Sequence, residues 1–430
     1  MINTHEDDTG DGKRPKVWYC PYKFQAYGEE EIRAVEECLR DGWLAPGPRT
    51  AKFEGMVSKF CGKKYGVMVN SGSAGNTLAL LIAGVKEGDE VITPACTFST
   101  VLAPLVQMRA VPVFCDVQLD TFVPSVEQVL ACVTERTKCV YIPDLAGSKP
   151  DWKRLRAEIP AHIPLIEDAC DTMTFTAESD FSVVSFYASH VITAGGGGGM
   201  VMMNTESARA SALCYRDWGR TGNNQECLDK RFTETIDGIS YDGKFAYSAV
   251  GYNFKSSEMN AAFGIVQMGR LPGFLQTRRN HVARYMSRLA DSPLGMPNNS
   301  GNYDWLAMPL KAPTGERRNI MELLEFSNIQ TRVFFAGNIT RHPAYRHLLA
   351  PYENADIIMA DVFLVGAHHG LTEDDVDYVC DVLLSFFEGA RAPAKYEVEE
   401  PEGFRHEIAL TGSEIDSPPS PPSTTSDDQR

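Results

Sequence analysis

The chain has 430 residues, of which 43 % are apolar and 23 % are charged, and these fractions exclude wholesale disorder and collagen-like repeats. Its formal charge of −16 argues against non-specific binding to nucleic acid or to an anionic membrane, because both are negatively charged. No apolar run approaches the ~20 residues that a membrane helix needs, and we expect a cytoplasmic protein without membrane partners.

Both ends of the chain have the composition of disordered tails. Residues 1–14 are polar, and residues 392–430 are acidic and rich in proline and serine, so neither segment buries enough apolar surface to offset its ordering entropy. Between them we expect a large domain over residues 15–270 and a smaller α+β domain over residues 271–391. The N-terminal helix is a candidate to pack on the smaller domain.

Strand and helix patterns alternate along the larger domain. A helix is predicted over Glu29–Arg40, a strand over Val67–Asn70 and a helix over Ala74–Val85. Further strands are predicted at Glu90–Pro94, Pro112–Val117, Cys139–Pro143, Pro164–Glu167, Ser182–Tyr187 and Met200–Asn204, and further helices at Ser125–Val133, Trp152–Glu158 and Phe274–Leu289. This alternation predicts an α/β fold with a mainly parallel sheet that helices cover on both faces.

Four segments carry residues suited to chemistry. The sequence NSGSAGN from Asn70 links a strand to a helix, and free backbone N–H groups at such a helix start bind anions. The acid cluster LIEDACD from Leu165 follows a strand, where α/β sheets place their ligands. SFYASHVITAGGGGG from Ser185 includes a histidine before five glycines, which permit close backbone approach or unusual dihedral angles. GYNFKSSEMNAAFG from Gly251 precedes an apolar helix.

In this order, the four segments resemble the DegT/StrS family of sugar aminotransferases, which have the fold of aspartate aminotransferase. Other landmarks of the resemblance are DGWLAPGPRTAKFE, DEVITPACTFSTV, PVFCDV and TRVFFAGNITRHPAY, and it covers about Trp18 to Glu388. The resemblance implies fold type I of the pyridoxal-phosphate-dependent transferases. It also implies a homodimer whose active sites form at the subunit interface.

One position departs from the aminotransferase pattern. In the aminotransferases, the residue five after the strand serine is a lysine that forms a Schiff base with pyridoxal phosphate; here His190 stands five after Ser185. An imidazole cannot form that bond. With histidine in place of this lysine, the chain resembles the 3-dehydratases of nucleotide-linked 4-keto-6-deoxyhexoses. Its segments SFYASH, RDWGR and GYNFK look most like those of the CDP-4-keto-6-deoxyglucose 3-dehydrase branch.

That branch carries a [2Fe–2S] cluster on four cysteines. Cys170 and Cys227 match two of these ligands, but Thr221-Gly222-Asn223 stands where a C-x-C pair belongs. Two thiolates do not supply the Cys₄ set of such a cluster. We therefore expect a protein without an iron–sulfur cluster, in which hydrolysis releases a 3-deoxy ketosugar and an amino donor regenerates the cofactor.

The resemblance also implies roles for single residues toward a non-covalently bound pyridoxamine phosphate. Ser71, Gly72, Ser73 and Ser185 would hold its phosphate together with Asn253 of the partner subunit. Phe98 would stack on the pyridine ring, Asp168 would pair with the ring nitrogen, and Asp171 would lie near the ring hydroxyl. His190 would remove a proton from the C4′ methylene of the cofactor before the C3 hydroxyl of the sugar leaves.

Two alternatives stay open at this point. Gly196 stands where the family usually has a glutamate, which favours a non-catalytic homologue that binds the cofactor or a sugar nucleotide. The second alternative is a sugar aminotransferase that uses another lysine, such as Lys255. Because a displaced lysine must still reach C4′, Lys255 is more simply interpreted as a phosphate or dimer contact.

Overall fold

A seven-stranded sheet forms the centre of the fold in the computed structural model, which describes residues 14–222, 227–232, 234–301 and 303–393. The tails expected at residues 1–14 and 392–430 therefore lie almost wholly outside the described residues. Within the described part of the chain, no helix combines the length and the apolar character that crossing a membrane requires.

The described strands are β1 (Tyr65–Val69), β2 (Glu90–Pro94), β3 (Val111–Cys115), β4 (Thr137–Pro143), β5 (Leu165–Asp168), β6 (Phe181–Ser185), β7 (Gly199–Met203), β8 (Glu234–Ile236), β9 (Ile239–Tyr241), β10 (Ala307–Lys311), β11 (Thr331–Val333) and β12 (Val362–Gly366). The described α-helices are α1 (Glu29–Asp41), α2 (Pro48–Phe60), α3 (Gly72–Ile82), α4 (Ser99–Gln107), α5 (Val126–Leu130), α6 (Trp152–Glu158), α7 (Glu206–Arg216), α8 (Leu228–Arg231), α9 (Glu258–Arg288), α10 (Arg317–Phe326), α11 (Glu353–Asp361) and α12 (Glu373–Phe387).

The large sheet has the strand order β1-β7-β6-β5-β4-β2-β3. Strands β2 to β6 pair in parallel, whereas β7 runs antiparallel to both of its neighbours. The prediction of a mainly parallel sheet is confirmed. Since β1 and β6 both run antiparallel to β7, the carboxyl ends of β1, β4, β5 and β6 meet at one edge of the sheet.

Helices cover both faces of this sheet, as the apolar strand sequences predict. Val67, Val69 and Val183 pack on the face that α3, α4 and α7 cover. Their neighbours Met68 and Val184 pack on the opposite face with residues of α2 and α9, because successive side chains of a strand point to opposite faces. All five side chains are buried, so the strand ends are held by a rigid core.

A second sheet of three antiparallel strands, in the order β10-β12-β11, lies in the C-terminal part of the fold. Its core includes Trp305 and Tyr285, both fully buried, with residues of α10, α11 and α12. This is the α+β composition expected for residues 271–391. The domain boundary itself stays a prediction, because α9 runs through residues 270 and 271 within one unit that extends to Ala392.

Two elements of the structure differ from the sequence predictions. The helix predicted to begin at Phe274 is wrong at its start, because α9 begins at Glu258 and continues through Pro272. Proline removes one N–H from the helix ladder, but contacts with α1, α2 and α12 hold the helix together. The hairpin of β8 and β9 was not predicted, since its three-residue strands, with Ile236 and Ile239 exposed, have no buried face to create a pattern.

Candidate active site

A cavity of about 560 Å³ opens at the edge of the sheet where β1, β4, β5 and β6 end. This size is typical of small-molecule sites. Eight of the nine predicted site residues line it: Ser71, Gly72, Ser73, Phe98, Asp168, Asp171, Ser185 and His190. The structure thus brings residues from four separate segments into one cavity.

The start of α3 forms one wall of the cavity. Ser71 caps the helix, and its Oγ accepts a hydrogen bond from the Ala74 N–H at 3.1 Å. A Cβ atom at Gly72 would lie 2.8 Å from both Cys170 Sγ and Ser185 Cβ, so only glycine fits here without displacing its neighbours. The first N–H groups of a helix have no partner within it and carry a partial positive charge, so this wall is suited to bind an anion.

The glycine run is explained by the approach of β7 to this wall. Gly199 pairs with both Val69 and Ser185 in the sheet, and a Cβ atom there would meet the Gly72 nitrogen at 2.5 Å. Gly195, Gly196 and Gly198 all have positive φ angles, which strain any other residue. The close backbone approach and the unusual dihedral angles that the glycine run predicts are therefore both present.

Asp168 lies at the end of β5 with its carboxyl buried. Asn76 Nδ2 donates to its Oδ2 at 2.8 Å, and the Cys170 N–H donates to its Oδ1 at 3.0 Å. Burial raises the pKa of Asp168, while the bonds from Cys170 and Asn76 oppose that rise. This carboxyl is thus fixed on both oxygens and is suited to receive a cationic N–H from a ligand.

Asp171 and His190 face each other across the cavity floor. Their nearest atoms, Asp171 Oδ1 and His190 Nδ1, are 3.9 Å apart, and the Ala146 N–H donates to Asp171 Oδ2 at 2.9 Å. Burial raises the pKa of Asp171 to about 7, which the Ala146 bond opposes and the charge of Asp168 reinforces. Burial also lowers the pKa of His190 to about 4, although a hydrogen bond to the Cys170 backbone opposes this shift, so at neutral pH the imidazole is a neutral base and the contact is not an ion pair.

Phe98 precedes α4 and forms part of the opposite wall. Its ring is about half exposed and meets Phe335 edge to face, with ring centroids 6.3 Å apart. Tyr187 also lines the cavity and is exposed. An aromatic face is therefore open to a planar ligand. The stacking of Phe98 on the cofactor ring, which the resemblance implies, stays a prediction.

Asn253 and Lys255 lie elsewhere in this chain. Asn253 forms an isolated antiparallel bridge with Asp217, and neither Asn253 nor Lys255 is among the residues that line the cavity. Lys255 Nζ lies 3.4 Å from Asp217 Oδ2 and 4.8 Å from the ring centroid of Trp218. A contribution of Asn253 to the site of a partner subunit stays a prediction.

The two cysteines matched to iron–sulfur ligands occupy different surroundings. Cys170 lines the cavity beside Asp168, whereas Cys227 is exposed directly before α8 and does not line it. Among the described residues, no group of three or more His, Cys, Asp or Glu side chains is arranged to hold a metal ion. Asn223, which belongs to the segment in place of the C-x-C pair, lies outside the described residues.

Sequence reasoning missed several residues of the site. Asn76 lies in the motif NSGSAGN, but the sequence indicates no role for it. In the structure its amide is fully buried, and a buried amide among apolar residues has a specific partner. Tyr19, Leu306 and Phe335 also line the cavity. They come from chain segments far from the four motifs, so no local pattern could have indicated them.

The fold and the cavity define a protein of the aminotransferase-fold class, with a candidate phosphate site and a buried carboxyl at the strand ends. The chain belongs to the DegT/DnrJ/EryC1/StrS aminotransferase family, whose model matches residues 25–384. The family and fold predicted from the sequence are confirmed.

Three similar proteins are informative. A dTDP-4-dehydro-2,6-dideoxy-D-glucose 3-dehydratase of Saccharopolyspora spinosa is 33 % identical, over 83 % of this chain and 84 % of that protein. The lipopolysaccharide biosynthesis protein RfbH of Salmonella typhimurium is 32 % identical, over 85 % of this chain and 91 % of that protein. The structure of an Escherichia coli GDP-4-keto-6-deoxy-D-mannose-3-dehydratase with bound hydrated pyridoxal phosphate is 25 % identical, with a TM-score of 0.78, and the match covers 86 % of this chain and all of that one.

Proposed function

We propose that this protein is a pyridoxamine/pyridoxal phosphate-dependent 3-dehydratase of a nucleotide-linked 4-keto-6-deoxyhexose, with His190 as the base. Two similar proteins named above are 3-dehydratases of nucleotide-linked sugars, and one was solved with pyridoxal phosphate. The reaction removes the C3 hydroxyl from the sugar. The enzyme would act in deoxysugar or polysaccharide biosynthesis.

The observation that carries this proposal is the position of His190. It lines the cavity five residues after Ser185, and among the described residues no lysine lines the cavity with it. A neutral imidazole accepts a proton at neutral pH. A lysine in its place would be protonated unless perturbed, and it would also capture the cofactor covalently.

The residues present fit the proposed cofactor. The anion-binding wall at Ser71, Gly72 and Ser73, with Ser185 beside it, would hold the phosphate. The buried carboxyl of Asp168 would hold the ring nitrogen in its protonated form. Phe98 would cover one face of the ring, because its own ring is open to the cavity.

When bound, the amine form of the cofactor supplies a nitrogen that condenses with the keto group and an electron sink for loss of the hydroxyl. His190 accepts the proton that this elimination requires and holds it at an imidazole nitrogen. Asp168 would hold the ring nitrogen in its positively charged, protonated form. Phe98 and Phe335 form an aromatic wall on one side of the cavity.

The proposal includes a homodimer with shared active sites, in which Asn253 of the partner subunit contacts the phosphate. Its support is the exposed apolar surface around this residue, where the side chain of Val250 is 94 % exposed and those of Tyr247 and Tyr252 are also exposed. Such surface is typical of an interface between copies. Mixing an Asn253→Asp subunit with a His190→Asn subunit should restore about a quarter of the activity, since half of the dimers then keep one intact site. No recovery on mixing would mean that the two residues do not act across subunits.

The proposed reaction uses no iron–sulfur cluster. The support is the sequence, since Cys170 and Cys227 are the only residues that match ligands of such a cluster. Stoichiometric iron and sulfide in protein purified without oxygen would contradict this part of the proposal.

The decisive experiment is an absorbance titration with pyridoxal and pyridoxamine phosphate, followed by borohydride reduction and intact-mass analysis. We expect saturable binding without a trapped phosphopyridoxyl mass. A separate, unreduced sample loaded with pyridoxamine phosphate is then incubated with glutamate as amino donor and with CDP-, dTDP- and GDP-linked 4-keto-6-deoxyhexoses, and mass spectrometry should detect a sugar nucleotide that has lost one oxygen. His190→Asn should abolish this turnover while it keeps cofactor binding, and the exposed His162→Asn serves as the matched control.

The same experiment tests the alternatives. A phosphopyridoxyl group trapped stoichiometrically on a lysine would favour the alternative that the protein is a sugar aminotransferase. The absence of binding by either form of the cofactor would favour a non-catalytic homologue, for which Gly196 in place of the usual glutamate is the supporting observation.

A further inference from the structure

A strained turn after β4 fixes the orientation of Asp171. In the turn Leu145–Gly147, Ala146 has a φ angle of 57° and Gly147 a φ angle of 99°. A Cβ atom at Gly147 would lie 2.3 Å from the Asp304 carbonyl oxygen, so the turn is packed tightly against the chain near Asp304. This packing directs the Ala146 N–H to Asp171 Oδ2. A non-glycine residue with positive φ costs free energy, and such strain is often found at functional sites.

The other oxygen of the same carboxyl faces His190. Asp171 Oδ1 lies 3.9 Å from His190 Nδ1, and the two side chains are only 13 % and 16 % exposed. His190 Nδ1 is itself buried and has no hydrogen-bond partner within the described residues. Buried polar atoms are almost always paired, and a movement of about 1 Å would bring these two atoms into hydrogen-bond range.

The proton position on His190 decides whether it can act as a base. A neutral imidazole carries one proton, on Nδ1 or on Nε2, and the hydrogen bond at one nitrogen sets the state of the other. If Nδ1–H donates to the Asp171 carboxylate, then Nε2 keeps a free electron pair. If Nδ1 accepts a hydrogen bond instead, Nε2 carries the proton and cannot take another.

We propose that Asp171 is a positioning residue that holds the proton of His190 on Nδ1, so that Nε2 accepts the proton removed in the reaction. This inference rests on the proposed function, in which His190 is the base. It assigns Asp171 to the histidine, whereas the family resemblance assigns it to the ring hydroxyl of the cofactor. As the imidazole gains its second proton, the same carboxylate stabilises the cation.

The test is the histidine tautomer in protein without cofactor, read from the ¹⁵N shifts of labelled imidazoles at pH 8. His190 is assigned by comparison with His190→Asn. We expect Nδ1–H in the wild type and Nε2–H in Asp171→Asn, because the new amide donates to Nδ1. In the same variant kcat should fall by about 10²–10⁴-fold, with KM and cofactor affinity nearly unchanged, and Asp171→Glu should restore part of kcat.

Asp144→Asn is the matched control. Asp144 is a buried carboxyl at the end of the adjacent strand, but it accepts a hydrogen bond from Trp152 and does not line the cavity. We expect the wild-type tautomer and kcat in this variant. An unchanged tautomer in Asp171→Asn, or a loss of cofactor affinity without a loss of kcat, would overturn the inference. A tautomer that switches in a protein without dehydratase activity would support the positioning role and contradict the proposed function instead.

Discussion

The stability of the cofactor-free protein should depend on pH through Asp171. Its pKa is raised to about 7 in the folded chain, chiefly by burial, whereas an unfolded chain gives aspartate a pKa near 4. A carboxyl with a raised pKa favours the folded state at low pH. That contribution is lost as the pH rises through the two pKa values, because the folded protein binds the proton more tightly than the unfolded protein does.

The magnitude follows from these two values. Each pH unit between them lowers the free energy of unfolding by about 1.4 kcal/mol. Two such units lie between pH 5 and pH 7, and little further change occurs above pH 7. Asp171→Asn removes this titration, so its stability relative to the wild type should increase by about 2–3 kcal/mol from pH 5 to pH 8.

Urea unfolding of both proteins at pH 5 and pH 8 measures this difference. One protein concentration is used throughout, because the stability of the proposed dimer would depend on concentration. Comparing the two proteins cancels the ionisable groups whose pKa values do not depend on Asp171, whereas the groups that interact with it, namely His190, Asp168, Cys170 and Tyr19, contribute to the measured difference. The exposed Asp120→Asn is the control. Parallel stability curves for wild type and Asp171→Asn would refute the reasoning.

Three further variants test other parts of the structure. Glu258→Ala should lower the free energy of unfolding by about 3–5 kcal/mol, because the buried carboxyl accepts four hydrogen bonds that hold the start of α2; urea unfolding measures this. Gly72→Ala should weaken binding of pyridoxal phosphate, since the new Cβ displaces the anion-binding wall. Asn76→Leu should weaken the same binding by about 10–100-fold, because it removes a donor that favours the ionised form of Asp168.

Two substitutions serve as controls for these three variants. Gly55→Ala lies in an exposed part of α2 with no atom near the new Cβ, so it should leave both stability and cofactor binding nearly unchanged. Thr77→Ala lies next to Asn76 on α3, and its hydroxyl donates a hydrogen bond to the Ser73 carbonyl oxygen. Equal cofactor affinity in Asn76→Leu and Thr77→Ala would contradict the role given to the amide, and a Glu258→Ala protein as stable as the wild type would contradict the role given to the carboxylate.

The strands and the site motifs could be predicted from the sequence because each is determined by residues that are close together along the chain. The strand at Glu90–Pro94 and the helix at Trp152–Glu158 have the predicted bounds, since each is an apolar or amphipathic run between turn residues. The carboxyl ends of parallel strands meet at one edge. The predicted strands before the motifs agree with the common cavity of Ser71, Asp168 and His190, but their assignment to one site came from the family resemblance.

The remaining features depend on contacts between distant segments. Nothing near Ala146 in the sequence shows that its N–H reaches Asp171, because the turn takes its shape from packing against Asp304. Helix α9 continues through Pro272 because other helices pack against it. A prediction from helix propensity does not take such contacts into account. The contact between Asp171 and His190 likewise needs β5 and β6 to be adjacent in register.

The two carboxyls of the cavity are stabilised differently, and this difference suits two roles. Asp168 receives amide donors on both oxygens, whereas Asp171 receives one, from Ala146. A carboxylate with more donors keeps its charge more readily, so Asp168 is suited to face a cation and Asp171 to change protonation near neutral pH. Groups whose surroundings differ in this way mark acid–base assignments. The exchange of lysine for histidine therefore does more than remove a covalent link, because His190 stands where a neighbouring carboxyl can control its proton.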